Sequence, residues 1–213
     1  MEESVFTITS PKNRAISISV TNGHFTTTSS HTSHYLEMSE MKSNTVAARG
    51  IARQLAEPYL DGVGVDTIVC MDGTEIIAAY LAEELMQYGT PVLYGDKPIF
   101  AVTPMHRVNG QLIFHQSAQE LIFGRGILLL VATVASGKTI QSAMDCLSYY
   151  GGALAGISAI FSSIPAIFDQ GINALFTIDD IPNYRFYGLA DCELCNAGRK
   201  IDAIVNSEGF SIV

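Results

Sequence analysis

Three stretches of this chain bring together residue types that could do chemistry. The first is Val131-Ala132-Thr133-Val134-Ala135-Ser136-Gly137-Lys138-Thr139, directly after an apolar run. Gly137 lets backbone approach a ligand closely, Ser136 and Thr139 offer hydroxyls, and Lys138 offers a positive charge. At a helix start the first amides lack partners in the chain and the dipole favours an anion. A phosphate site is therefore one reading, and a tight turn that simply caps a helix is the other. The second stretch, Cys192-Glu193-Leu194-Cys195, has the spacing of a zinc knuckle, but a structural zinc needs four ligands. Cys70 and Cys146 are singletons in apolar or helical settings. His31 and His34 lie far away in sequence, and no second knuckle exists. The reading is two reduced thiols in a turn, with no metal and no activated redox pair. The third stretch, Met71-Asp72-Gly73-Thr74, opens a helix that Asp72 and Thr74 are suited to cap.

Two weaker features complete the inventory. Asp179-Asp180 ends an apolar run and reads as a solvated helix-cap pair, with magnesium binding as the alternative. The dense hydroxyl cluster from Thr26 to Thr32, with His24, His31 and His34 around it, suits either a ligand-lining surface or an exposed polar strand edge.

The elements that must position these residues are read from periodicity. Ala15-Ile16-Ser17-Ile18-Ser19-Val20 alternates like a strand, Asn22-Gly23 reads as a hairpin turn, and Phe25 to Thr28 as the returning strand. Ser43 or Asn44 caps a helix with Val46, Ala47, Ile51 and Leu55 on its apolar side, ending before Pro58. Strand Asp66–Cys70 and helix Glu75–Met86 follow. Pro91–Tyr94, Phe100–Val102 and Leu112–Phe114 read as further short strands. Ile127–Val131 is the most apolar strand, with a helix from about Thr139 to Tyr149, then strands Ala153–Phe161 and Ala174–Ile178. Alternating strands and helices with short connections predict a mainly parallel sheet flanked by helices. The organisation expected is one structural domain, with a β-rich N-terminal hood (1–40) on an α/β core (41–213).

Composition narrows the function. The 213 residues are 48% hydrophobic and only 15% charged, against about 25% charged in an ordinary domain, which excludes a disordered chain or a coiled coil. A net charge of −9 with no basic run argues against bulk nucleic-acid binding. The uncharged stretch from Cys146 to Phe168 is long enough to cross a bilayer. Its Gly151-Gly152, Ser162-Ser163 and Pro165 instead read as a helix end, a turn, a strand and another helix start. With an acidic N-terminus that lacks an apolar core, the expectation is a cytoplasmic protein without a membrane partner.

Two families use a loop like 131–139. A Walker A loop needs a glycine at the position of Ala132, and only a short stretch follows Thr139, so a P-loop protein is the weaker match. The better resemblance is to the type I phosphoribosyltransferases, in particular the orotate enzymes. Ile127 to Leu130 fills the apolar positions of that family's fingerprint, and Ala135-Ser136-Gly137-Lys138-Thr139 fills its 5′-phosphate loop. Gly23 to Tyr35 resembles the Phe-x-Leu-Lys-Ser-Gly…Ser-x-Tyr-Tyr stretch of the orotate enzymes. Asp66–Cys70 with Met71, Asp72, Gly73 and Thr74 resembles the pyrophosphate-loop strand and turn. The resemblance implies a phosphoribosyl pyrophosphate or nucleotide ligand, magnesium accompanying phosphoribosyl pyrophosphate, and a homodimer.

The departures fall on side chains. The family's acidic pair, which engages the ribose hydroxyls, falls on Val131 and Ala132, neither of which accepts a hydrogen bond through its side chain. The lysine and glycine of Lys-Ser-Gly fall on Thr28 and Ser30. The mobile catalytic loop falls in Thr103–Gly110, where Arg107, with His106 beside it, is the one remaining arginine for a leaving pyrophosphate. The Asp-Arg pair that helps hold orotate falls near Ser162 and Ser163. Two functions stay open: a transferase with altered substrate and ribose contact, or a regulatory protein that binds phosphorylated ribose without the chemistry.

Overall fold

The computed structural model describes residues 5–95, 97–106, 111–206 and 209–213. Three strands open the chain, β1 (Val5–Thr9), β2 (Ser17–Thr26) and β3 (Ser30–Glu37). Helices α1 (Ser39–Ser43) and α2 (Thr45–Ala56) lead into β4 (Thr67–Cys70), α3 (Glu75–Tyr88) and β5 (Phe100–Val102). The short strands β6 (Met105–His106) and β7 (Leu112–Ile113) precede the one-turn helix α4 (Gln116–Gln119). Then come β8 (Gly126–Val134), α5 (Lys138–Tyr149), β9 (Ala153–Ser162), β10 (Ala166–Ile167) and β11 (Gln170–Thr177). Strand β12 (Phe186–Gly188), helix α6 (Glu193–Asn196), β13 (Ala203–Asn206) and β14 (Gly209–Ile212) close the chain.

The core sheet has the order β10-β11-β9-β8-β4-β5, parallel throughout except for the edge strand β10. Its centre is β8, buried on both faces. Period-two alternation sends Leu128, Leu130 and Ala132 into the core shared with α2 and α3, and Ile127, Leu129 and Val131 into the core under α5. Burial of each leucine contributes about 1.5–3 kcal/mol, so this strand anchors everything at its carboxyl end. Helix α2 starts at Asn44, whose side chain accepts hydrogen bonds from the Val46 and Ala47 amides at 2.9 and 3.4 Å. Its buried face is Ala48, Ile51, Ala52 and Leu55; Val46 lies outside it, 81% exposed, because it belongs to the solvent side of the first turn.

The hood differs from the expected hairpin. Strand β2 runs straight through Asn22-Gly23, where the register shifts in a bulge, and the turn falls later, closed by Thr27 N donating to Ser30 O at 2.8 Å. The Asn-Gly pair serves the bulge, so that His24 and Phe25 are both buried. The hood sheet, ordered β12-β3-β2-β13-β14 with β1 also on β2, takes three strands from the end of the chain and so extends beyond residues 1–40. Ile18 and Val20 of β2 join the same apolar cluster as α2, α3 and β8, which fastens hood to core. Two short elements also differ from expectation. Residues 91–94 form a turn, with Leu93 and Tyr94 amides bonded to Thr90 O, and Tyr94 is buried with its hydroxyl on Tyr59 O at 2.6 Å. After Ser162 the chain forms the short strand β10 where a helix start was expected. Among the described residues no helix is long and apolar enough to cross a membrane.

Gly156 on β9 lets the Tyr59 ring lie directly on the strand, where a Cβ would stand 2.5 Å from Cε1 and 2.7 Å from the hydroxyl. That hydroxyl lies 3.1 Å from Ser158 Oγ. Gly156→Ala displaces the ring and lowers stability by about 1–3 kcal/mol, which urea denaturation of the purified variant measures.

Candidate functional site

A cleft of about 590 Å³ opens between hood and core at the carboxyl end of β8. This is where ligands collect in a parallel sheet. One wall is the 135–139 loop. Ala135 is half-buried, Ser136, Lys138 and Thr139 are exposed to the cleft, and Gly137 is buried in the left-handed conformation at φ 78°. No side chain caps α5, and its first amide with a backbone acceptor is that of Gln141, bonded to Gly137 O at 2.9 Å. The amides ahead of it have no backbone acceptor among the described residues, as at any helix start. Ser163 braces the loop, its amide on Val134 O at 2.8 Å and its hydroxyl on Ala135 O at 2.6 Å. Ser162 closes on Ile164 O instead. The position resembling an orotate-holding pair thus shapes the 135–139 loop.

The second wall is Asp72 of the Met71–Thr74 turn, whose Met71 and Thr74 are buried behind it. Asp72 and Gly73 take successive left-handed conformations, φ 58° and 77°. Thr74 does not cap α3 with its side chain; its hydroxyl donates to Met71 O at 2.8 Å and Leu130 O at 3.2 Å, which latches the turn to β8. Over this turn sits Lys42 from α1, its Nζ donating to Asp72 O at 3.0 Å. Lys42 was not singled out from sequence because its place depends on a contact across 30 positions that no local pattern announces. It and Lys138 are the cations among the described residues that line the cleft.

The third wall is the hood. Thr27, Thr28, Ser29, Ser30 and Thr32 line the cleft, which favours the ligand-surface reading of the hydroxyl cluster. His34 stacks on Tyr184 at 5.8 Å between centroids, and Ser33 Oγ lies 2.8 Å from its Nδ1. Burial, and then repulsion from Arg199, pulls the His34 imidazole below its ordinary pKa. Burial and the neighbouring Glu37 carboxylate push the Tyr35 phenol up to about 12, so it stays a neutral hydroxyl.

The remaining expectations sort as follows. Val131 is 1% and Ala132 4% exposed, each packed in a different apolar core. Arg107 lies outside the described residues; the strands flanking its loop, β6 and β7, pair antiparallel. Asp180 accepts the Thr177 amide at 2.7 Å and its hydroxyl at 3.1 Å, a capping box that accounts for Asp180 without magnesium. His24 and His31 approach the Cys192-Cys195 pair, whereas His34 does not.

No protein-family model matches the sequence, and no curated protein matches it significantly. The fold is nonetheless similar to solved structures. One is UMP synthase from Leishmania donovani, at TM-score 0.55 and 16% identity, over 75% of this chain and 34% of that one. A second is orotate phosphoribosyltransferase from Mycobacterium tuberculosis in complex with Fe(III) dicitrate, at TM-score 0.50 and 14% identity, over 71% and 85%. A third is adenine phosphoribosyltransferase from Thermoanaerobacter pseudethanolicus, at 0.50 and 14%, over 81% and 95%. The chain therefore has the type I phosphoribosyltransferase fold, and it spans about a third of the UMP synthase chain.

Two outcomes test this geometry. A Cβ at Gly137 would stand 2.6 Å from Ile167 Cδ1, and the left-handed backbone costs a non-glycine residue about 1–2 kcal/mol. Gly137→Ala therefore loses at least that much in chemical denaturation. For His34 the folded pKa lies below the unfolded value of 6.5. Its contribution to stability is complete above that value and is lost as pH falls from it toward the folded pKa. An NMR titration should accordingly place the His34 midpoint below that of the unfolded chain.

Proposed function

We propose that this protein binds a 5′-phosphorylated ribose, either phosphoribosyl pyrophosphate or a nucleotide, with transferase chemistry altered or lost. The observation that carries the reading is the cleft itself, where the helix-start amides of 136–139 face Lys42, the Asp72-Gly73 turn and the hood hydroxyls. The 5′-phosphate would take the amides at the start of α5, helped by its dipole and the Lys138 charge. A pyrophosphate would meet the Met71–Thr74 turn beside Lys42, with Arg107 as a further cation and magnesium as its counter-ion. The hood hydroxyls would face ribose or base.

The reading on chemistry rests on what the 131 and 132 positions contain. An oxocarbenium-like ribose needs negative charge nearby, and the apolar side chains of Val131 and Ala132 supply none. Backbone amides can hold a phosphate whatever the side chains. Stabilising a developing charge needs particular groups aimed at it. Binding thus outlasts catalysis in such a site.

Calorimetric titration with phosphoribosyl pyrophosphate, with and without magnesium, beside ribose 5-phosphate and nucleoside monophosphates, tests the reading. Micromolar binding is expected, weakened at least about tenfold by Ser136→Asp, since one lost charge-assisted hydrogen bond is worth about 1.5–3 kcal/mol and a carboxylate there also repels the phosphate. Lys42→Met should weaken phosphoribosyl pyrophosphate more than ribose 5-phosphate. No heat from any of these ligands would overturn it.

A further inference from the structure

We infer that His24, His31, Cys192 and Cys195 form a structural zinc site that staples the end of the chain to the hood. The sequence presents only the Cys-x-x-Cys half of such a site. The fold supplies the other half, since the β2 bulge turns His24 inward and β3 carries His31 opposite. The segment after β12 returns Cys192 and Cys195, at the start and third residue of α6, to the same point. One ligand atom from each residue lies within 4.8 Å of all the others.

The three nitrogen–sulfur separations fit one ion, and the two ring nitrogens stand slightly closer than its ideal edge. His24 Nε2 is 3.0 Å from His31 Nδ1, 3.4 Å from Cys192 Sγ and 3.7 Å from Cys195 Sγ; His31 Nδ1 is 3.3 Å from Cys195 Sγ. A tetrahedron with zinc–sulfur bonds near 2.3 Å and zinc–nitrogen bonds near 2.0–2.1 Å has edges of about 3.3 to 3.8 Å. His24 is also oriented as a ligand, because its Nδ1 lies 2.9 Å from Arg199 O and 3.1 Å from Lys200 O. A carbonyl accepts only, so the proton sits on Nδ1 and the Nε2 lone pair faces the cluster.

Chemistry selects the ion. Two thiolates and two imidazoles are soft and borderline donors in tetrahedral array, which suits zinc and not magnesium or calcium. Zinc with two thiolates carries no net charge, so the largely buried position of His24, His31 and Cys192 imposes no uncompensated charge. Four protein ligands fill the shell and leave no open position for substrate, which makes the site structural. Ser30 and Thr32, on either side of His31, line the cleft, so the staple also sets the position of that wall. This inference stands independently of what the cleft binds.

The test uses the full chain purified without a polyhistidine tag, under reducing conditions. Elemental analysis should find one zinc per chain, released when the thiols are modified, and zinc at background in the Cys192→Ser/Cys195→Ser double variant. Should that variant fail to fold, the metal-stripped wild-type chain refilled with cobalt(II) decides alone, by tetrahedral bands with thiolate-to-cobalt charge transfer. Zinc no higher in the wild type than in a folded double variant would overturn the site. So would a six-coordinate cobalt spectrum, or an intact mass showing a Cys192–Cys195 disulfide in the purified chain.

Discussion

Strand β8 is the constraint on which the rest depends. From Ile127 to Ala132 no side chain is polar, and every one is buried, alternately against α2 with α3 and under α5. A strand so held has one register and one exit direction. Its exit defines the loop at 135–139, its Leu130 carbonyl holds the Met71–Thr74 turn through Met71 N and the Thr74 hydroxyl, and its parallel neighbours carry β4 and β9 to the same edge. Both loops are thus referenced to a single strand, and their spacing follows from the pitch of the sheet.

The same burial explains how the site departs from its fold relatives' fingerprint without disturbing the frame. Positions 131 and 132 lie where side chains enter the two cores, so valine and alanine there extend the packing. Nearby polar groups take structural duties as well: Ser163 ties the loop to the strand behind it, and Asp180 closes its own short helix. Polar groups toward the cleft are backbone amides, hydroxyls, His34, Asp72, Asn206 and two lysines, in a chain whose net charge is −9.

Legibility in the sequence followed the range of the interactions. The β8 run, the helix after it, the Asn44 cap and the parallel order are local or periodic signals, and these stand in the structure. Asn22-Gly23 misled because Gly23 serves a close approach, a Cβ there standing 2.5 Å from Phe25 Cε2, and not the positive φ of a tight turn, and only the pairing of β2 with β3, β1 and β13 decides between the two uses. Residues 91–94 looked like a strand because Val92, Leu93 and Tyr94 are β-formers, yet Tyr94 is drawn into the core by its bond to Tyr59 O and the backbone turns to allow it. Lys42 over Asp72, and His24 joining His31 at the Cys192-Cys195 pair where the sequence offered only His31 and His34 at a distance, escape the sequence for a common reason. Each is a meeting of side chains from elements far apart along the chain, and no spacing rule encodes it.

The composition of the hood sheet also bears on how the chain is made. Its first three strands leave the ribosome well before the strands that cover them, β12 beside β3 and β13 beside part of β2. His24 and Cys192 are separated by 168 positions. Until that distance is closed, the nascent hood presents unpaired strand edges, the kind of surface that recruits other chains, and loop closure over such a span is slow. The core, whose strands lie between these ends, can assemble first. Completion of the hood thereby waits on the synthesis of β12 and β13, and a chain cut before them retains the strands of its central sheet while leaving β2 and β3 open to aggregation.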